Sequence, residues 1–238
     1  MKALIEKAHE LGADLAGVAS IGDLGGGDVR WPEGAKSIVV VALAHPPDNP
    51  EMDWWFGRSD PPGNRRLAGI VQGLCDWIPA RFGFSVAHLP YHVDRGGAYL
   101  KDAAVFAGLG CIGLNNLLVT PDFGPRVRLR ALTIDAPLPP TGPIAFDPCR
   151  GCDAPCRAAC PQGVFGRMPG AGPASLGATP TEATMAAATL HLPARTGEFS
   201  RAACRIQMDL DVDAASPADE GAERVIRYCR ACELSCRV

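Results

Sequence analysis

Eight of the ten cysteines in this 238-residue chain lie beyond residue 148, and their spacing constrains the fold more than any other feature. Cys149, Cys152, Cys156 and Cys160 form a C-x2-C-x3-C-x3-C run closed by Pro161. Cys229, Cys232 and Cys236 form a second run, C-x2-C-x3-C, and Cys204 stands alone between the two. A cubane iron–sulfur cluster needs four thiolates converging on one small volume. Three close cysteines wrap three irons, and a distant fourth closes the site; in two-cluster ferredoxins that fourth ligand comes from the other motif. The same crossing here assigns Cys149, Cys152, Cys156 and Cys236 to one 4Fe–4S cluster. Cys160, Cys204, Cys229 and Cys232 go to a second, and no ligand is left over.

Two other chemistries use cysteines in number. Zinc accepts tetrahedral thiolate sets, but structural zinc sites come as paired C-x2-C knuckles, whereas one run here carries four cysteines and ends in proline. Disulfides suit small secreted chains; this one has 47% hydrophobic residues, enough for a real core, so it has little need of them. The residue added between Cys152 and Cys156, relative to C-x2-C-x2-C, calls for a wider turn at Ala154–Pro155.

The segment before the cysteines reads as mixed helix and strand. Leu4, Ile5, Ala8 and Leu11 share a helical face ending at Gly12, and a strand is expected over 14–19. The run SIVVVA at 37–42 is apolar and β-branched, as in a strand buried on both faces. Proline-rich 45–64, with Trp54, Trp55 and Phe56, reads as a long ordered loop whose aromatic residues anchor it or line a surface. Leu67, Ile70, Val71, Leu74, Trp77 and Ile78 predict a core-facing helix carrying Cys75 as a packing residue. Strands are expected at 85–89, 117–120 and 128–134, and a short helix at 99–107. The proline-rich APLPPTGP that begins at Ala136 places a domain boundary near 143, giving domains 1–142 and 143–238. Composition turns to Gly, Pro, Ala and Thr over about 166–200, an expected insertion with a short helix near 182–190.

The stretch YLKDAAVFAGLGCIGLNNLLVTPDFGPRVRLR, residues 99–130, resembles the signature of the epoxyqueuosine reductase family, which is related to corrinoid reductive dehalogenases. The AGLG-x-IG-K-N pattern stands as Ala107-Gly108-Leu109-Gly110-Cys111-Ile112-Gly113-Leu114-Asn115, with Asn116 next and Phe123-Gly124 after a strand. The resemblance implies an α+β fold, a nitroreductase-like cobalamin-binding domain followed by a ferredoxin-like domain with two 4Fe–4S clusters. It implies a base-off cobalamin contacted by Gly108, Gly110, Cys111, Ile112, Gly113, Asn115 and Asn116, and a proton donor at Asp94. Read without the family, spaced glycines more often make a tight connection than a ligand cradle, and Asp94 is as readily a solvated loop residue. Two departures stand out: Leu114 replaces the family's lysine, and the helical repeats that hold transfer RNA do not follow Cys236.

These readings point to a cobalamin-dependent iron–sulfur reductase, an oxidoreductase whose clusters pass single electrons to the corrinoid. The alternatives are an electron carrier or corrinoid-handling protein serving a partner enzyme, and a minimal epoxyqueuosine reductase acting on tRNA. The expected partners are an electron donor such as ferredoxin or flavodoxin, and a small-molecule substrate or corrinoid partner protein. The net charge of −3 argues against nucleic acid. The charged N-terminal stretch and the lack of any long apolar run argue for a cytoplasmic protein without a membrane segment.

Overall fold

The computed structural model describes residues 1–24, 29–56, 60–165, 199–215 and 224–238. Most of the expected 166–200 insertion, including the helix near 182–190, lies outside the described residues.

The chain is mixed α and β, organised on a four-stranded antiparallel sheet in the order β1-β2-β7-β4. These strands are β1 (Leu15–Ser20), β2 (Ser37–Ala44), β4 (Val86–His88) and β7 (Val127–Ile134). The β2 register runs Ser20↔Ser37 on one side and Ser37↔Ile134 on the other. The apolar run at 37–42 is buried on both faces, as expected, and the period of two shows why. Val39, Val41 and Leu43 enter one apolar cluster, Ile38, Val40 and Ala42 the opposite one. Helices α1 (Lys2–Glu10) and α2 (Pro62–Phe82) cover the first face through Leu4, Ala8, Leu67, Leu74 and Ile78. Helix α3 (Leu100–Phe106) covers the second through Leu100, Ala103 and Ala104. Each large side chain fully buried in these layers contributes about 1.5–3 kcal/mol.

Helix α2 is longer than its apolar stripe, which marks only the buried turns. Pro62 starts it, where a missing N–H costs nothing, and Gly83 at φ 73° ends it in the left-handed conformation. Within 45–64 the loop is broken by a 3-10 turn, Pro50–Asp53, and by the short strand β3 (Trp55–Phe56). The glycine motif folds as a small hairpin, β5 (Cys111–Ile112) with β6 (Leu118–Val119). After residue 143 come α4 (Pro155–Ala158), α5 (Arg201–Ala214), β8 (Val225–Ile226) and α6 (Ala231–Leu234). Strand β8 pairs with β3, Trp55 opposite Ile226, so a two-residue ladder ties the second cysteine run to the 45–64 loop. No described helix is long and apolar enough to cross a membrane.

Candidate metal centre

Local structure turns each cysteine run inward. Ala154 takes the left-handed conformation at φ 53° and Pro155 starts α4 behind it, which is how the added residue before Cys156 is absorbed. Helix α4 packs against α6, bringing Cys156 to the second run, and Arg237 pairs with Asp153 at 3.0 Å across the same junction. Ser200 caps α5 by accepting from the Ala203 N–H at 3.1 Å, setting Cys204 one turn into the helix. From that helix Asp211 accepts the Cys229 N–H at 2.7 Å, and Gln207 accepts from Gln162, two residues past Cys160, at 3.0 Å.

All ten cysteines are free thiols. The thiols whose charges perturb one another fall into two foursomes. Burial raises Cys149, a hydrogen bond from the Leu114 amide lowers it, and Asp147, Cys236 and Cys152 raise it further. Burial raises Cys156, and Cys236, Cys149 and Cys152 add to that. In the other group burial raises Cys204, with Cys160 and Cys229 adding. Cys232 is pushed up to about 12 by burial, then by Cys229, Cys160, Glu233 and Cys204. The thiols acting on each come from its own foursome: 149, 152, 156 and 236, or 160, 204, 229 and 232. Four thiolates this close repel one another, and a cationic iron core removes the repulsion, so the donor set fits a cluster. Among the described residues no three His, Cys, Asp or Glu side chains converge as closely as one metal ion requires. A cubane bonds each thiolate to a different iron and asks for the wider spread.

The foursomes differ in setting. Cys156 of the first is buried, while Cys229 of the second is exposed. Cys111 is buried against the first: its thiol is pushed up to about 12 by burial, then by Cys149, Asp147 and Cys236.

The residues expected to cradle a cofactor also pack against the chain itself. A Cβ on Gly110 would stand 2.0 Å from the Val119 carbonyl oxygen, and one on Gly108 2.8 Å from that of Thr141. One on Gly113 would meet Val119 at 2.6 Å and the Cys149 sulfur at 3.6 Å. Asn115 is buried; its amide donates to the Cys232 carbonyl at 3.3 Å and its oxygen accepts the Leu117 N–H at 3.2 Å. Asn116 sits at φ 57°, its carbonyl accepting from Lys101. Ile112 is half-buried and packs against the α3 side of the sheet. The glycine turn thus lies against Cys149 through Gly113 and against Cys232 through Asn115. Asp94 falls in the 3-10 turn Val93–Arg95; its side chain lies outside the described residues.

A partly buried ionic network that sequence reasoning missed joins this region to the sheet. Arg128 on β7 reaches Glu233 at 2.9 Å and Asp53 at 3.1 Å, and Arg230 reaches Asp53 at 2.7 Å. Arg230 also pairs with Glu233 and donates to the His45 carbonyl at 2.7 Å, while His45 Nδ1 meets Asp53 at 2.6 Å. Burial raises the Asp53 pKa, but the His45 hydrogen bond with Arg128, His45 and Arg230 outweighs it and holds the carboxyl below its ordinary value. Trp55 meets Tyr228 edge-on at 6.1 Å and Arg227 lies over Trp54 at 4.2 Å, so the aromatic pair clamps the two residues just before Cys229.

Comparison with known proteins places this geometry. No protein-family model matches the chain. The epoxyqueuosine reductase of Bacillus cereus is 33% identical over an aligned length of 147, a match that covers 56% of this chain and 36% of that protein. The chain therefore spans about a third of the length of the curated relatives it matches. A selenomethionine-labelled epoxyqueuosine reductase superposes with a TM-score of 0.59 at 18% identity, covering 99% of this chain and 64% of that one. An epoxyqueuosine reductase carrying an epoxyqueuosine-modified tRNA-Tyr stem loop gives 0.52 at 23%, covering 68% and 52%. A reductive dehalogenase, whose structure suggests a mechanism for B12-dependent dehalogenation, gives 0.53 at 21%, covering 68% and 25%.

Proposed function

We propose, from a chain that is epoxyqueuosine reductase-like in sequence and in fold, that it is an iron–sulfur oxidoreductase which relays single electrons through two 4Fe–4S clusters to a corrinoid. The observation that carries the reading is the division of eight thiols from separated stretches into two foursomes. The order of the relay follows from exposure. The second foursome, with Cys229 exposed beside the Trp54–Trp55 clamp, is the entry from a donor such as ferredoxin or flavodoxin. The first, backed by buried Cys111 and the Gly113 turn, is the exit toward the sheet domain. In this reading 1–142 is the nitroreductase-like acceptor domain and 143–238 the ferredoxin-like one.

The acceptor rests on likeness to the B12-dependent neighbour and to the reductases rather than on the glycine turn. A corrinoid supplies a cobalt centre that stores low-potential electrons. The chain's own contribution near it is the 91–97 turn, from which Asp94 would deliver a proton. The Bacillus subtilis epoxyqueuosine reductase has been seen with the loop of a catalytic aspartate swung out of its active site. A tRNA substrate is the second reading, favoured by the neighbour bound to a modified stem loop.

Anaerobic reconstitution with iron and sulfide, followed by cob(II)alamin and a strong reductant, tests the proposal through the visible spectrum. A shift to base-off cobalt is expected. No binding would reduce the protein to an electron carrier, and turnover of an epoxyqueuosine stem loop would select the tRNA reading.

A further inference from the structure

Arg128 and Arg130 point to the same face of β7, yet among the described residues only Arg128 is in an ion pair. Arg128 is tied to Asp53 and Glu233. Among the described residues Arg130 makes no ion pair: it donates to the Leu129 carbonyl at 2.9 Å and lies over the Tyr91 ring at 4.5 Å. Burial holds its pKa below the usual value, and the influence of Tyr91 and Asp60 does not offset that. A partly desolvated guanidinium with most of its five N–H donors uncommitted is poorly placed unless a ligand meets it.

Space for that ligand exists. A half-open cleft of about 230 Å³ lies where the sheet runs out from under α2, at edge strand β4. Its floor is Val71, Leu89 and Ala131, all buried; its polar rim is Gln72, His88 and Arg130. The Gln72 amide already donates to Asp76 at 2.8 Å, leaving it one further N–H. Tyr91, 56% exposed, holds Arg130 in place by stacking and opens the turn that carries Asp94, which Gly97 closes through a 3.0 Å bond to the His92 carbonyl.

We propose that this cleft is a binding site for a small anion, a carboxylate or phosphate group, gripped by the Arg130 fork. The planar, stacked guanidinium suits two-point recognition of either group. The volume limits the bound part to about ten heavy atoms, so a larger ligand leaves its remainder toward the Tyr91 turn. Assigning the anion to the substrate rests on the reaction occurring beside Asp94; the binding itself requires neither clusters nor corrinoid, so the two ideas fail separately.

Titration calorimetry of the full chain against inorganic phosphate and, separately, acetate tests it. Saturable binding of at least one is expected, and the tighter of the two identifies the source. Arg130→Gln should weaken it by about tenfold or more, in line with loss of a charged hydrogen bond. Arg130→Lys should bind between the two, and Arg81→Gln, which removes an exposed arginine stacked on Phe82, should bind as the wild type does. Phenylglyoxal labelling of the unsubstituted protein needs no variant: Arg130 should react, and the bound anion should protect it. Absence of saturable binding by both anions, wild-type affinity in Arg130→Gln, or labelling indifferent to the anion would each overturn the proposal.

Discussion

The two halves of the molecule are held together by different physics. Before residue 143 two apolar clusters cover both faces of a sheet and bury side chains such as Ile38, Leu43, Leu67, Leu74 and Leu132 almost completely. Beyond it, among the described residues, only Cys156, Val164 and Glu233 are buried. What organises that region is polar: the Ser200 cap, the Asp211 and Gln162 hydrogen bonds, and the Arg128–Glu233–Arg230–Asp53 network. Such staples contribute about 1 kcal/mol each when exposed, too little to order a cysteine-rich segment that has hardly any core. The contrast leads us to expect that the sheet half holds together on its own apolar core, while the cysteine half depends on what its thiols bind.

The largest expected effect comes from removing iron. Chelation under reducing conditions should make the region after 143 open to proteolysis while the sheet half keeps its protection; equal loss or equal survival of the two halves would break the comparison. Next, single ligands should act on one foursome at a time. Cys236→Ser and Cys204→Ser should each lower iron content by about half, whereas Cys111→Ser should leave it unchanged. A loss caused equally by Cys111→Ser would place that residue among the ligands.

Smaller effects separate core from network. Leu74→Ala should cost about 2–5 kcal/mol in urea unfolding without altering iron content. Glu233→Gln, which leaves Arg128 and Arg230 short of a buried partner, should cost about 3 kcal/mol and release the C-terminal run; a stability within about 0.5 kcal/mol of wild type would make the network ornamental. The least effect is that of acid on Asp53. Its folded pKa is depressed, so the stability it contributes is complete above the ordinary value of 3.8 and is lost as pH falls below that, through the folded value. Asp53→Asn should flatten this part of the acid-unfolding profile, read by circular dichroism.

Legibility in the sequence followed the range of the interaction. The apolar run at 37–42 announces a strand buried on both faces because β-branched residues sit on both sides of a period of two. The cysteine spacing, together with the crossing rule, names the same sets of four that recur in the thiols' effects on one another, although Cys236 lies 80 positions beyond Cys156. By contrast, β8 is two residues long and its partner is more than 160 positions away, so no local pattern signals it. The ionic network escaped for the same reason. One clue was present: arginines at 128 and 130 alternate with apolar residues on an inner strand, where a cation needs a partner. The glycines at 108, 110 and 113 were legible as sites of close approach, but sequence could not say that the approaching group is the chain's own backbone and the Cys149 sulfur.

The central claim is that two sets of four thiolates, each drawn from separated stretches, hold two cubane clusters. Metal and sulfide analysis of the anaerobically reconstituted chain, with Mössbauer spectroscopy of the same sample, tests this most directly. About eight irons and as much sulfide per chain, in 4Fe–4S environments, are expected. Stoichiometric zinc, or iron sufficient for only one cluster, would contradict it.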